Sequence, residues 1–408
     1  MSSVRSRPSR RQLARPPSDL TVKSSHGDVD AGADDPSSRD LSVSRVAGRL
    51  EKISSIQKCL ESDPVDITSL RQLAISRGGL INDELRRKVW PELLGVDVSS
   101  IPPKPDQSVL IAHRDYNQVV LDVNRSLKRF PPGMEEEKRL GLQDQLVDVI
   151  MRILVNHNEL HYYQGYHDIC VTFLLVVGED LTFALVDQLS TNHLRDFMDV
   201  NMERTNHILN YLYPIVEQAS PKLCEFMERS EVGTIFCLSW LITWYGHVLT
   251  EFRHIVRLYD FFIACHPLMP IYLCAAIVLY RESEILSSEC EMCVLHCLLS
   301  KIPENLPFEQ LISKAGDLYL QYPPTDLANQ ALIKFKNRNL SKLEKNNQLS
   351  SSPVKLLKKP GQKALQVASA DQSQGGSVLV KVTVWTLTAA LSAAVWAVWN
   401  SAADWGWY

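Results

Sequence analysis

The chain has 408 residues, which is enough for two domains or for one large domain with tails. Its formal net charge of -4 argues against nucleic acid as the main partner, because a surface that binds phosphates usually shows a basic excess. The nine cysteines are scattered and odd in number, which indicates thiols in a reducing compartment rather than a secreted disulfide framework.

The N-terminal segment, residues 1–44, is poor in large apolar residues and rich in Ser, Arg, Pro and Asp. It buries too little apolar surface to offset the loss of chain entropy, so we expect a disordered arm. Its arginines are similar to those of a mitochondrial presequence, but Pro8, Pro16 and Pro17 would interrupt the amphipathic helix that such a signal requires. No apolar run follows, so no secretory signal peptide is predicted.

Apolar residues recur at helical spacing through residues 45–330, and the alternation typical of strands is scarce. Asp66 is a candidate cap for the second helix, and Asn82 or Asp83 for the third. Further helices are predicted at residues 143–155, 182–189, 205–216, 223–227, 234–248, 255–265, 271–281, 290–299 and 308–320. The pattern predicts an all-α fold without regular internal repeats.

A helix is also predicted before the Pro-Pro-Gly sequence at residues 131–133, which ends it. Its apolar face consists of Val120, Val123, Leu127 and Phe130, at spacings of three and four. The same geometry directs a polar set away from the core, namely Asp122, Arg125, Ser126 and Arg129.

A second notable stretch lies between the helix predicted at 143–155 and the apolar run 169–177. It is short, polar and aromatic, and it reads His161-Tyr162-Tyr163-Gln164-Gly165-Tyr166. Gly165 allows a close backbone approach beside Gln164.

These two stretches resemble the paired signature of the TBC domain family of Rab GTPase-activating proteins, whose motifs are I-x-x-D-x-x-R and Y-x-Q-G. The chain matches the motifs in order with Val119, Asp122 and Arg125, and then with Tyr162, Gln164 and Gly165. Valine replaces isoleucine and preserves shape and apolarity. Either motif alone recurs by chance, but the two together, about forty residues apart, are specific.

The resemblance covers residues 75–325. Arg86 and Trp90 are similar to the family's R-x-x-x-W motif, and Arg257 with Asp260 to its R-[IVL]-[WY]-D-x-F segment. We assign Arg86 and Trp90 to packing of the N-terminal part of the domain. The resemblance implies a multi-helix TBC (Rab-GAP) domain over residues 45–330.

The resemblance also implies the chemistry. The chain would not be an enzyme in its own right but would lend residues to a GTP-bound Rab GTPase. Arg125 would be an arginine finger that stabilises charge on the transferring phosphoryl group, and Gln164 a glutamine finger that orients the attacking water. Asp122 would help to orient the arginine and its helix, while Tyr162 and Gly165 would shape the loop.

No metal and no cofactor of its own are expected, because the partner GTPase carries GTP and Mg²⁺ and this chain has no G-x-x-x-x-G-K-[ST] loop. Rabs of the ER-to-Golgi step are the implied substrates.

The alternative is a non-catalytic, membrane-anchored adaptor that binds a Rab. Taken alone, Asp122 and Arg125 could form an ordinary exposed ion pair, and Gln164 could satisfy a buried backbone group. An adaptor, however, has no need for either Arg125 or Gln164, so the presence of both favours the catalytic hypothesis.

Cys290, Cys293, His296 and Cys297 have a spacing found in metal sites. One straight helix cannot wrap a tetrahedral ion, so we interpret the cysteines as a buried stripe rather than a zinc site.

Beyond the domain, residues 331–377 have the composition of a flexible linker. The run 382–399 has no charged residue, and its eighteen residues would span about 27 Å as a helix, close to the thickness of a thin bilayer. It lacks a polar face, which argues against a buried or interfacial helix. Lysines precede it and only Asp404 follows, so we predict a single-pass tail anchor at 378–403 in the endoplasmic reticulum membrane, with a cytosolic domain and a lumenal tail at 404–408.

Overall fold

The computed structural model describes the backbone of residues 36–126, 130 and 133–333, with side chains from residue 46 onward. All regular structure in these residues is helical, without any strand, which confirms the predicted all-α class. The helices in chain order are α1 (Pro36–Glu61), α2 (Ile67–Ile75), α3 (Asp83–Leu94), α4 (Gln107–Ile111), α5 (Tyr116–Arg125), α6 (Glu136–Asn156), α7 (Tyr166–Val177), α8 (Glu179–Thr191), α9 (Glu203–Leu209), α10 (Leu212–Ala219), α11 (Pro221–Arg229), α12 (Leu238–Ile242), α13 (Phe252–Ala264), α14 (Met269–Tyr280), α15 (Glu282–Leu286), α16 (Met292–Ser300) and α17 (Phe308–Gln321). Residues 324–333 are also helical.

Several predicted segments lie partly or wholly outside this range. Helix α1 begins at Pro36, inside the segment assigned to a disordered arm, and residues 1–35 are not described. The linker beyond residue 333, the predicted anchor at 378–403 and the tail at 404–408 are not described either. Within the part of the chain that is described, no helix combines the length and apolarity needed to cross a bilayer.

Two helix starts follow directly from the sequence. Asp66 Oδ1 accepts a hydrogen bond from Ser69 N at 3.0 Å, and Asn82 Oδ1 accepts one from Leu85 N at 2.9 Å. Both side chains satisfy backbone donors that the first turn of a helix leaves without a partner. The predicted caps of α2 and α3 are therefore confirmed, with Asn82 rather than Asp83 at the second.

The helix predicted at 234–248 is broken. A short 3-10 turn and α12 are followed by a turn in which Trp244 and Tyr245 have φ values of 46° and 66°. Both rings are buried, and Trp244 lies edge-on to Tyr259 with ring centroids 5.4 Å apart. Burial of two large aromatic rings here prevails over continuation of the helix. The turn also brings the chain at residues 242–247 against the loop that precedes α7.

Helix α14 lies in the middle of one group of helices. Residues 269–278 are all buried, as expected for a helix that is apolar on every side, and α14 contacts α10, α12, α15 and α17. A second group consists of α3, α5, α6, α7 and α8, in which α6 contacts α5, α7 and α8. This second group holds the two signature stretches.

A buried carboxylate joins α3 to α13. Asp260 is fully buried and accepts hydrogen bonds from Arg86 Nε (3.0 Å), Arg86 Nη2 (3.0 Å), Trp90 Nε1 (2.9 Å) and Leu80 N (2.9 Å). Since a buried charge is tolerated only when it is paired and hydrogen-bonded, these donors account for the aspartate in this core position. Trp90 also lies edge-on to Phe173 of α7, with ring centroids 5.1 Å apart.

Candidate functional site

Helix α5 ends at Arg125, the residue that the family resemblance predicts to be the arginine finger. Ser126 N donates to Val123 O at 3.0 Å and closes the last turn. The prediction that the helix continues to Phe130 is therefore wrong, although Phe130 itself is buried. Leu127 and Arg129 lie outside the described residues. Arg125 is exposed at the helix terminus and makes no ion pair within the described part of the chain.

The buried face of α5 matches the predicted one only in part. Val123 is buried and Val120 is half-buried against the core, as predicted, but the fully buried set at this end also includes Val119, Asp122 and Ser126. Asp122 is only 2% exposed and Ser126 only 7%, so the prediction that both point to solvent is wrong. The reason is that each polar group has a partner: Ser126 Oγ donates to Asp122 O at 2.8 Å, and Gln118 Nε2 donates to Asp122 Oδ1 at 3.0 Å.

Residues 161–165, which we call the finger loop, run into the N-terminus of α7. Gln164 is exposed, whereas Gly165 is buried with a φ of 109°. A Cβ atom at Gly165 would lie 2.8 Å from Thr243 Cγ2, too close for any other residue without a shift of the chain. Tyr163 Oη donates to Ile242 O at 2.8 Å and fixes the other side of the loop.

Tyr162 joins the finger loop to α5. Its hydroxyl donates to Asp122 Oδ2 at 3.1 Å and lies 2.9 Å from His167 Nδ1. Burial, followed by the charge of Asp122, raises the pKa of Tyr162, so the hydroxyl keeps its proton and remains a donor. The structure thus brings the two sequence motifs together through one hydrogen bond between the half-buried Tyr162 and the buried Asp122.

The two proposed fingers are both available to a partner. Within the described residues, neither the Arg125 guanidinium nor the Gln164 amide has a hydrogen-bond partner, and both residues are exposed. Their backbones, however, are held by the buried contacts of Asp122, Tyr162 and Gly165. The arrangement presents a cation with several donors and an amide with both donor and acceptor capacity on a fixed frame.

Arg86 and Trp90 are not brought to the fingers. Both lie on α3 and contact Asp260 in the core, as described above. Their link to the site is indirect, through the packing of Trp90 against α7.

Sequence reasoning missed three residues next to the finger loop: His167, Asp168 and His247. Asp168 Oδ2 lies 3.1 Å from His247 Nδ1, and Asp168 Oδ1 lies 3.8 Å from His167 Nε2. The sequence signal for His167 and Asp168 is their position directly after Gly165 and Tyr166. No local pattern marks His247, which reaches the loop only through the turn after α12.

The cysteine stripe is not buried as predicted. Cys293 and Cys297 are exposed and Cys290 is half-buried, because α16 begins at Met292 and turns Leu295 and Leu299 toward the core. No cluster of three or more metal-ligating side chains occurs among the residues that the structure describes.

Cys265 lies beside His266, a pairing that could suggest a thiol nucleophile and a base. Burial raises the pKa of the Cys265 thiol to about 12, which disfavours the reactive thiolate.

Comparison with known proteins identifies the class. The sequence profile described as "Rab-GTPase-TBC domain" matches residues 83–286, and the chain belongs to this family. Among solved structures, the Ypt/Rab-GAP domain of Gyp1p shares the fold, with a TM-score of 0.55, 14% identity and coverage of 67% of this chain and 99% of that one.

More similar relatives refine this result. The chain is 53% identical to human TBC1 domain family member 20 over 88% of this chain and 91% of that protein. It is 50% identical to the mouse protein of that name, over 95% of this chain and 98% of the mouse protein. The GTPase-activating protein gyp10 of Schizosaccharomyces pombe is 31% identical over 60% of this chain and 67% of that protein. The family is that of Rab GTPase-activating proteins, so a Rab GTPase is the partner.

Proposed function

We propose that this Rab GTPase-activating protein acts by inserting Arg125 and Gln164 into the nucleotide pocket of a GTP-bound Rab. The observation that carries the proposal is the contrast between exposed side chains and a fixed frame. Asp122 is buried, Tyr162 is half-buried, and the two are hydrogen-bonded at 3.1 Å, while the finger on each side of this contact is exposed. A frame of this kind limits the reorganisation needed when the partner binds.

Each finger meets one requirement of GTP hydrolysis. Negative charge is spread over the oxygens of the transferring phosphoryl group, and a guanidinium with several fixed donors stabilises it. In P-loop GTPases an arginine finger contributes about 10³- to 10⁵-fold in rate. An amide accepts a hydrogen bond from the attacking water and donates another, so Gln164 would take the place of the GTPase's own glutamine.

The supporting residues act through geometry. Asp122 precedes Arg125 by nearly one helical turn, and its hydrogen bond with Tyr162 sets the distance between α5 and the finger loop. Gly165 lets the loop pass against Thr243. These contacts support a positioning role for Asp122, Tyr162 and Gly165. GTP and Mg²⁺ belong to the partner.

The substrate class and the membrane attachment belong to the same proposal. We infer that the preferred Rabs are those of the ER-to-Golgi step, and that residues 378–403 anchor the protein in the endoplasmic reticulum membrane. The uncharged run at 382–399, with lysines before it, supports the anchor. Anchoring would confine the fingers to Rabs on the same membrane and raise their effective concentration.

Single-turnover GTP hydrolysis by a panel of Rabs tests the catalytic proposal. For the preferred Rab, Arg125→Ala should lower the stimulated rate by about a hundredfold or more, because the charge on the phosphoryl group loses its stabilisation. Arg87→Ala, which removes an exposed arginine from α3, serves as the matched control and should leave the rate unchanged. Equal rates for wild type and Arg125→Ala would contradict the proposal and leave a Rab-binding adaptor.

The glutamine finger has its own test in the same assay. A Rab that lacks its own catalytic glutamine should still respond to the wild-type protein, because Gln164 supplies the amide. It should not respond to Gln164→Ala. Loss of the response with the wild-type protein would show that Gln164 does not replace the Rab's glutamine.

A further inference from the structure

A line of neighbouring polar groups runs from α5 through the finger loop to the surface. Asp122 Oδ2 contacts Tyr162 Oη at 3.1 Å, and Tyr162 Oη contacts His167 Nδ1 at 2.9 Å. His167 Nε2 then lies 3.8 Å from Asp168 Oδ1, and Asp168 Oδ2 lies 3.1 Å from His247 Nδ1. The inner members are buried: Asp122 is 2% exposed, Asp168 is 3% exposed and His167 is 8% exposed.

The protons in this line can be assigned. The Tyr162 hydroxyl has one proton, and a carboxylate can only accept, so that proton lies toward Asp122. The Tyr162 oxygen is then an acceptor for its second partner, and His167 must donate from Nδ1. His167 Nε2 lies 3.8 Å from Asp168 Oδ1, beyond hydrogen-bonding distance, and the other oxygen of Asp168 lies 3.1 Å from His247 Nδ1. The contact with Tyr162 therefore determines which ring nitrogen of His167 carries the proton.

His167 is well placed to affect both fingers. It lies three residues after Gln164, in the first turn of α7, and it acts on Tyr162 from the side opposite to Asp122. A Tyr162 hydroxyl without this donor can turn away from Asp122, which would loosen the contact between α5 and the finger loop. A displacement of about 1 Å in a catalytic group is enough to cost roughly a hundredfold in rate.

We propose that His167 is a positioning residue for Arg125 and Gln164. Its Nδ1–H donates to the Tyr162 hydroxyl and thereby fixes that hydroxyl on Asp122. The inference rests on the proposed function and extends it to a residue outside the two sequence motifs.

Two similar amides distinguish positioning from simple packing. The asparagine amide nitrogen takes the place of imidazole Nδ1, whereas the glutamine amide nitrogen takes the place of Nε2. In single-turnover assays with the full chain, His167→Asn should keep at least about half of the stimulated rate at saturation. His167→Gln and His167→Phe should lose about tenfold or more. Half-saturating concentrations should stay within about twofold of wild type, because the binding surface is unchanged.

Thermal unfolding of each variant identifies any that fail to fold, and the comparison of Asn with Gln stands without the Phe variant. A purely structural role predicts that Asn, the smaller amide, loses at least as much rate as Gln, and that result would overturn the inference. Wild-type rates for all three variants would overturn it too. A wild-type protein that stimulates no Rab would defeat the proposed function and this inference with it, whereas the two preceding results would leave the proposed function intact.

Discussion

At the residue scale, the site depends on the backbone conformation at Gly165 and on the position of Arg125 at the end of α5. Gly165 has no side chain and a φ of 109°, which lets the loop pass Thr243 with Gln164 facing outward. Arg125 is held at a helix end, and Asp122 is buried behind it. The long side chains that would reach the nucleotide are exposed, while the backbone that carries them is held by contacts with the rest of the domain.

Gly165→Ala tests the importance of this loop geometry. The new Cβ would lie 2.8 Å from Thr243 Cγ2 on a backbone that side chains rarely adopt, so we expect a cost of roughly 1–3 kcal/mol in unfolding free energy. The stimulated hydrolysis rate should fall about tenfold or more, because Gln164 moves with the loop.

Gly141→Ala is the matched control for this substitution. Gly141 lies in α6, and a Cβ there would meet no atom within 4 Å. Alanine should raise the unfolding free energy by about 0.5–1 kcal/mol, since it favours the helix, and leave hydrolysis unchanged. Full activity of Gly165→Ala would show that the observed loop conformation is not required.

At this scale the resemblance to the family's two motifs predicts Arg125 and Gln164 as fingers, and that assignment stays a prediction. The burial of the neighbouring residues was not predictable, because apolar periodicity places Asp122 on the wrong face of α5. A polar residue can lie on a buried face when a partner from another part of the chain satisfies it. Tyr162 is that partner, and no local pattern shows the contact.

At the element scale, buried charged groups join helices that are distant in sequence. Arg257 on α13 donates to Glu309 of α17 from Nε (2.9 Å) and Nη2 (3.1 Å). It also donates to the carbonyl oxygens of Ala74 and Ile75 at the end of α2, at 3.2 and 2.8 Å. Arg257 thereby closes the C-terminus of α2, where orphan carbonyl groups favour a cation.

This contact predicts a pH-dependent difference in stability. Burial acts to raise the pKa of Glu309, but the hydrogen bond and charge of Arg257 outweigh it and hold the pKa below the ordinary value of 4.5. A carboxyl group with a lowered pKa in the folded state stabilises above its unfolded pKa, and this contribution is lost as pH falls through the folded value.

Urea unfolding of Glu309→Gln between pH 7 and pH 4 measures that contribution. The unfolding free energy of the wild type should exceed that of the variant by about 1 kcal/mol at pH 7, and this difference should shrink below about pH 4.5. The control variant Glu84→Gln removes an exposed ion pair with Lys88, and its unfolding free energy should equal that of the wild type at both pH 7 and pH 4. A constant gap between wild type and Glu309→Gln would contradict the ionic role of Glu309.

Helix existence was predictable from periodicity, and helix breaks were not. The segment 255–265 corresponds closely to α13, but 205–216 divides into α9 and α10, and 234–248 breaks at Trp244. Periodicity reports which residues face the core. It does not report where aromatic rings pack better around a turn.

At the scale of the whole molecule, the chain combines the described helical domain with a predicted membrane anchor that lies outside the described residues. The domain presents the proposed fingers, and the predicted anchor at 378–403 would hold it near membrane-bound Rabs. The two proposed roles can be tested separately, because Arg125 and Gln164 are far from the uncharged run in sequence.

Deletion of residues 378–408 should release the protein into the soluble fraction of cells. Its stimulation of a soluble Rab should stay within about twofold of the full chain, since both fingers remain. Deletion of residues 1–35 is the control and should leave the protein in membranes that resist alkaline extraction. Retention of the tail-deleted protein in such membranes would contradict the anchor.

The most direct test of the central claim is a structure of the protein bound to its preferred Rab with GDP and aluminium fluoride, which mimics the transferring phosphoryl group. We predict a guanidinium nitrogen of Arg125 about 3 Å from a fluoride, and the Gln164 amide at the same distance from the attacking water. The account would be contradicted if both side chains lay outside the nucleotide pocket and the Rab's own glutamine contacted the attacking water.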